Sequence, residues 1–162
     1  SITKGWAYVQ KVRHVLKNTS GSQIGGIRAY EDNEILIRLA DIILLRAELK
    51  VKTGDDAGAI KDLNRIRGRA GCAPYNVTVD GNLAGAVQDE RDREFFCEGV
   101  TIHYFDVVRN GTFRERLRGH FKTLTEKDVE EGALFLPVSR LAFRNNTLML
   151  QTPYWKRNGY AY

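Results

Sequence analysis

Apolar residues fall at spacings of three and four most regularly between residues 34 and 53. There Leu36, Leu39, Ala40, Ile43, Ala47 and Val51 share one helical face. Ile42, Leu44 and Leu45 carry apolar character beyond that face, so the pattern predicts a helix buried on more than one side. Asp32 or Asn33 is placed to cap its start, and Gly54 suits the left-handed position that ends a helix. A second helix is predicted over 55–70, with Asp55 as N-cap, Ala59, Ile60, Leu63 and Ile66 on one face, and Gly71 closing it. The single-glycine turn between the two makes an antiparallel pair.

The pair has the spacing of a tetratricopeptide-type hairpin. Ala47 is followed twelve residues later by Ala59, with Leu63 and Ile66 four and seven residues further on. Small residues let two helix backbones approach where they cross, and the larger ones fill the space beside them. Only this unit shows the spacing, so periodicity alone predicts no regular array.

Elsewhere the pattern is weaker. WAYVQKVRHVL alternates apolar and polar positions and reads as a short strand or extended run, with helix as the second alternative, and NTSGSQIGG after it is a loop. Residues 1–33 therefore read as a partial N-terminal segment and linker, and 34–162 as the helical region. CAPYNVTVDGN (72–82) is a loop, a third helix is predicted over about 83–98, and HYFDVVRN is a fourth, short one. Residues 110–132 are polar, charged and glycine-containing and predict little. The tail LFLPVSRLAFRNNTLMLQTPYW reads as an irregular segment packed against helices. The expected fold is all-α: tetratricopeptide-like helical hairpins with long irregular loops and an extended C-terminal tail.

Composition narrows this picture. A chain of 162 residues suits one domain with a real core. The formal charge of +5 comes from basic residues interleaved with acids (KDLNRIRGR, DERDRE, RERLR), which read as solvated helix faces where a nucleic-acid footprint needs a one-sign stripe. Nucleic acid is not an expected partner. Arg38, Asp41 and Arg46 interrupt the longest apolar stretch, so no membrane span is predicted. SITKGWAYVQ has no signal-peptide pattern, and no lipid-acceptor Cys stands near it; an exported parent would be represented here by a mature segment. Cys72 and Cys97 form no C-x-x-C, and His14, His103 and His120 are scattered, so no metal site is expected. A Cys72–Cys97 disulfide is open in an oxidising compartment, with two partly buried thiols as the plainer alternative.

The third helix carries an unusual face. At about 100° per residue, Leu83, Val87, Arg91, Glu94 and Glu98 fall together, so charged groups share the side that meets the core. Buried charge is costly unless paired. The expectation is a structural ion-pair network of Arg38, Glu90, Arg91, Glu94, Glu98, Asp106 and Arg109, in which Arg91 reaches Glu94 or Glu98 and Arg38, Arg67 or Arg109 come from neighbouring elements. Paired carboxylates also serve acid–base catalysis, which makes a glycoside hydrolase fragment the rival reading; no catalytic residue is assigned. For ligand contact, Trp6, Tyr8, Tyr75 and Trp155 are the candidates, because they stand in loop-like context, as Tyr160 does. Phe95, Phe96, Tyr104 and Phe105 read as core.

Three segments, in order, resemble SusD/RagB proteins. In IRLADIILLRAELKVKTGD running into AIKDLNRIRGRAG, the match is carried by Arg38, Ala40, Asp41, Ala47, Glu48, Leu63, Asn64, Arg67, Arg69, Ala70 and Gly71. In DERDREFFCEGVTIHYFDVVRNG it is carried by Glu90, Arg91, Glu94, Glu98, Gly99, Tyr104, Phe105, Asp106 and Arg109. In the tail it is carried by Pro137, Asn146, Leu148, Gln151 and Pro153. The stretch from Gly99 to Asp106 is longer than the family's usual spacing, His103 stands where an arginine is customary, and Tyr154-Trp155 replaces Gly-Tyr. The resemblance implies a surface lipoprotein of Gram-negative, glycan-foraging bacteria, with a helical tetratricopeptide-like scaffold and neither cofactor nor catalysis. Such a protein holds an oligosaccharide or peptide, caps a SusC-like TonB-dependent transporter and sits on the extracellular face of the outer membrane through a lipid anchor, which this chain would lack. The glycan site of that family is built largely outside the matched segments. The alternative is a tetratricopeptide-type protein–protein interaction module, which calls for repeated units of about 34 residues.

Overall fold

The computed structural model describes residues 2–3, 6–7, 15–22, 24–30, 36–98 and 102–160. Two small antiparallel ladders come first. β1 (Ile2–Thr3) pairs with β2 (Trp6–Ala7), and β3 (Val15–Lys17) pairs with β4 (Ile27–Tyr30), with a register shift between Leu16 and Lys17. The alternating stretch thus yields strand at both ends, and residues 8–14 lie outside the described residues.

Helices carry the rest, and the fold is all-α in character. α1 (Leu39–Lys52) begins later than its pattern predicts, because Arg38 is already extended and offers no side-chain cap. Leu36 and Ile37 precede the helix and are exposed, and Asp32 and Asn33 lie outside the described residues. Gly54, at φ +81, ends α1, and Asp55 accepts from the Gly58 amide at 2.9 Å to start α2 (Asp56–Arg69). Ala47, Ala59 and Leu63 have no exposed surface, which is what close backbone approach demands of this hairpin. One expectation for α1 is met only in part. Ala40 and Ile43 are buried, and so is Leu44 beyond their face, but Ile42 and Leu49 on the outer face and Leu39 at the helix start are exposed. Apolar character marks a face able to be buried; burial itself needs a neighbour, and none covers that face among the described residues.

The predicted loop 72–82 contains a further turn of helix, α3 (Val77–Asp80), started by Asn76 accepting from the Thr78 amide. α4 (Leu83–Glu94) is capped by Asn82 and ends short of its predicted limit. Residues 95–98 form turns in which Cys97 adopts φ +60, a left-handed conformation uncommon outside glycine. The consequence is a split aromatic pair: Phe95 is buried in the core and Phe96 is 62% exposed. Phe105 is exposed as well and Tyr104 is half-buried, so only Phe95 of the four expected core aromatics is fully inside. Ala86, Val87 and Phe95 join the α1–α2 residues in one apolar cluster.

The chain divides into two compact units, Ser1–His103 and Tyr104–Tyr162, the boundary falling within α5 (Ile102–Arg109). The second unit has its own core of Val107, Phe113, Leu124 and Ala133. It is built from the rest of α5, α6 (Phe113–Arg116), a 3-10 turn at Gly119–Lys122, α7 (Glu126–Glu130), a 3-10 turn at Arg140–Phe143 and α8 (Pro153–Arg157). α7 opens with a reciprocal capping box between Thr125 and Asp128. Polar side chains give the irregular tail its shape. Gln151 accepts from the Val138 amide at 3.0 Å and donates back to the Val138 carbonyl at 3.2 Å, as a paired strand would. Asn146 accepts from the Leu148 amide, and the Tyr154 amide donates to Glu131.

Candidate functional site

The charged residues of the first unit gather where α4 lies along α1 and α2. Arg38, just before α1, donates through Nε to Glu98 at 2.6 Å, through Nη2 to the Glu94 backbone carbonyl at 2.8 Å and through Nη1 to the Glu94 carboxylate. Burial works against the charge on Arg38, and its hydrogen bonds to Glu98 and Glu94 outweigh that, holding its pKa above the ordinary arginine value. Arg69, at the end of α2, also reaches Glu94. Arg91 donates to Asp41 at 2.7 Å, and the guanidinium carbons of Arg38 and Arg91 lie 4.5 Å and 5.3 Å from the centroid of the Phe95 ring.

Glu90 faces the other way. It accepts from Arg93 at 2.8 Å and lies 3.8 Å from Arg67, which itself donates to the Ala73 carbonyl and to Asp80. Asp106 and Arg109 pair with each other at 2.7 Å in the second unit. Among the described residues, Arg38 thus meets Glu94 and Glu98, Arg91 meets Asp41, Glu90 meets Arg93, and Asp106 meets Arg109. Sequence reasoning left out Asp41, Arg69 and Arg93 as partners. Asp41 carried a signal, being an acidic residue one turn from Arg38.

The aromatic candidates stand on separate elements. The Tyr75 ring packs against the first core, its hydroxyl donates to the Gly81 carbonyl at 2.9 Å, and its amide donates to Asn64. Trp155 is half-buried in the second unit, with its indole N–H donating to the Phe135 carbonyl at 2.6 Å and its ring edge-to-face with Tyr154 and Tyr160. Trp6 stands in β2, and Tyr8 lies outside the described residues.

Among the described residues, two of the concavities on the first unit stand out by volume. One, of about 540 Å³, sits where α4 ends and α5 begins, with Phe96, Cys97, Asp92 and His103 on its walls. The other, of about 460 Å³, runs between α1 and α2 over Leu39, Ile43 and Ile66, with Arg65 and Arg69 beside them. Cys72 and Cys97 are free and both exposed, contrary to the expectation of partly buried thiols; each lies just past the end of a helix. Among the described residues no group of three His, Cys, Asp or Glu side chains is placed to hold a metal ion.

The model of the SusD family matches residues 2–155. The chain belongs to the SusD family. SusD proteins bind nutrients, glycans among them, without catalysing a reaction, work with SusC-like transporters and are generally associated with the outer membrane. No curated protein and no solved structure matches the chain. Several of the residues that carry the resemblance tie elements together. Arg38, Asp41, Arg91, Glu94 and Glu98 join α1 to α4, Arg67 and Asn64 hold the loop after α2, and Gln151 closes the tail. No helix among the described residues is long and apolar enough to cross a membrane.

Proposed function

We propose that this chain is scaffold of a SusD-type protein that holds an oligosaccharide at the outer-membrane surface and passes it to a SusC-like TonB-dependent transporter. The match over residues 2–155 supports this most directly. The charged groups of α4 act as a brace in this reading. Each carboxylate in the group has an arginine within hydrogen-bonding reach, which suits neutralisation of buried charge better than proton transfer to a substrate. The test is retardation of the purified chain in native gels containing single polysaccharides, together with affinity capture from outer membranes. Retardation by at least one polysaccharide, with a SusC-like transporter in the captured material, is the expected result. Hydrolysis of any of those glycans, or failure of the whole panel with no transporter captured, overturns it.

A further inference from the structure

We propose that the cavity at the end of α4 is a subsite for one neutral sugar ring, stacked on Phe96 and hydrogen-bonded by the Asp92–His103 pair. This rests on the glycan-binding reading and adds to it the place of contact and the charge class of the ligand.

Phe96 is the first observation. Its ring is 62% exposed on the cavity wall while its neighbour Phe95 is buried, because the chain leaves the helix after Glu94 and turns through Cys97. The C–H groups on one face of a pyranose are apolar and meet the electron-rich face of an aromatic ring. The second observation is polar. His103 Nδ1 lies 2.6 Å from Asp92 Oδ1, so that contact occupies Nδ1 and Nε2 is the ring nitrogen on offer to a ligand hydroxyl. Both side chains are part-exposed and therefore within a ligand's reach.

Charge selects among ligands. Arg91 and Glu98 also line the cavity, but Asp41 answers the first at 2.7 Å and Arg38 the second at 2.6 Å. Among the described residues an anionic sugar would find no uncommitted cation on these walls, whereas a neutral ring of hydroxyls asks only for donors and acceptors. A volume of about 540 Å³ falls inside the range of roughly 300–1,000 Å³ usual for small-molecule sites, which combine apolar walls with a few polar groups.

The chain's own thiols supply the test. Cys97 lines the cavity and Cys72 does not, and both are free and exposed. Alkylation by iodoacetamide is followed at each cysteine by peptide mass mapping, with and without maltohexaose, xylohexaose, mannohexaose or the acidic sugar polygalacturonate. A neutral sugar is expected to slow labelling of Cys97 severalfold and leave Cys72 unchanged. Phe96→Ala is expected to weaken that sugar's binding about tenfold with an unchanged melting temperature, since the ring stands outside the core. Asp92→Asn is expected to weaken it less. A sugar that binds with Cys97 labelling and Phe96→Ala affinity both unchanged overturns the subsite and leaves the glycan-binding reading standing. Protection of Cys97 by polygalacturonate alone overturns the neutral-ligand assignment. If none of the four binds while an equimolar mixture of dipeptides protects Cys97, both are overturned.

Discussion

The guanidinium of Arg91 donates to the carboxylate of Asp41 at 2.7 Å, and the arginine side chain is only 3% exposed. The pair spans 50 residues of sequence and joins α4 to the first turn of α1. Removing one member of a buried pair leaves the other charge out of water without its partner, at a cost of about 3–5 kcal/mol. Arg91→Ala is therefore expected to lower the melting temperature by on the order of 10 °C. Replacing both members, as Arg91→Met with Asp41→Leu, is expected to restore much of the loss. The check is thermal unfolding by circular dichroism. A melting temperature that hardly moves, with glycan binding abolished, would instead place Arg91 at the ligand.

The hairpin crossing makes a second, independent test. Leu63 has no exposed surface and packs in the cluster with Ile43, Leu44 and Ala47. Leu63→Ala leaves a cavity between α1 and α2 and is expected to cost about 2–5 kcal/mol. Ala47→Leu forces extra volume into the same crossing and is expected to cost about 1–3 kcal/mol. Urea unfolding midpoints at constant m-value measure both. A neutral Ala47→Leu would mean that the two backbones are not held close there.

These two sites also show what sequence could and could not convey. The hairpin was legible because every signal for it is local: the three-and-four spacing, the Asp55 cap and the left-handed Gly54 all act within a few residues. The core of the second unit was not, since Val107, Phe113, Leu124 and Ala133 are separated by turns and share no period. The charged face of α4 was legible as an anomaly, but its partners depend on which residues of α1 and α2 lie opposite. Asp41 was therefore missed, and Glu90 turned out to face Arg93 and Arg67. Phe96 read as core because its segment continues a helical pattern, and a single left-handed residue at Cys97 goes with the ring's exposure.

Gly132 ties α7 to the closing tail. It has φ +94, and a Cβ there would stand 3.1 Å from Thr152 Cβ and 3.2 Å from its Cγ2. Gly132→Ala therefore meets both a disfavoured backbone conformation and side-chain crowding, with an expected cost of about 1–3 kcal/mol. Gly111→Ala is the control, because at φ +69 it has nothing within 4 Å and carries only the backbone strain. The two variants are compared by thermal melts. Equal losses would show that the tail does not pack on Gly132.

The acid side of the stability profile is expected to report the start of α7. Hydrogen bonds from the Thr125 hydroxyl and amide, and then from Arg157, hold the Asp128 carboxyl at about 2, below the ordinary 3.8. A carboxyl whose pKa is lower in the folded chain stabilises it fully above the unfolded value and loses that contribution as pH falls through the folded one. The stabilisation is thus complete above pH 3.8 and fades as pH falls from there towards 2. Asp128→Ala is expected to melt below the parent by a constant interval from neutral pH down to that window, and the interval is expected to shrink within it. Melts of both proteins stepped through the same pH values isolate Asp128 from other acids, such as Asp62, whose carboxyl Arg46 also holds below the ordinary value. An interval that stays constant to the bottom of the window would show that Asp128 stabilises α7 equally well when protonated, as a neutral cap.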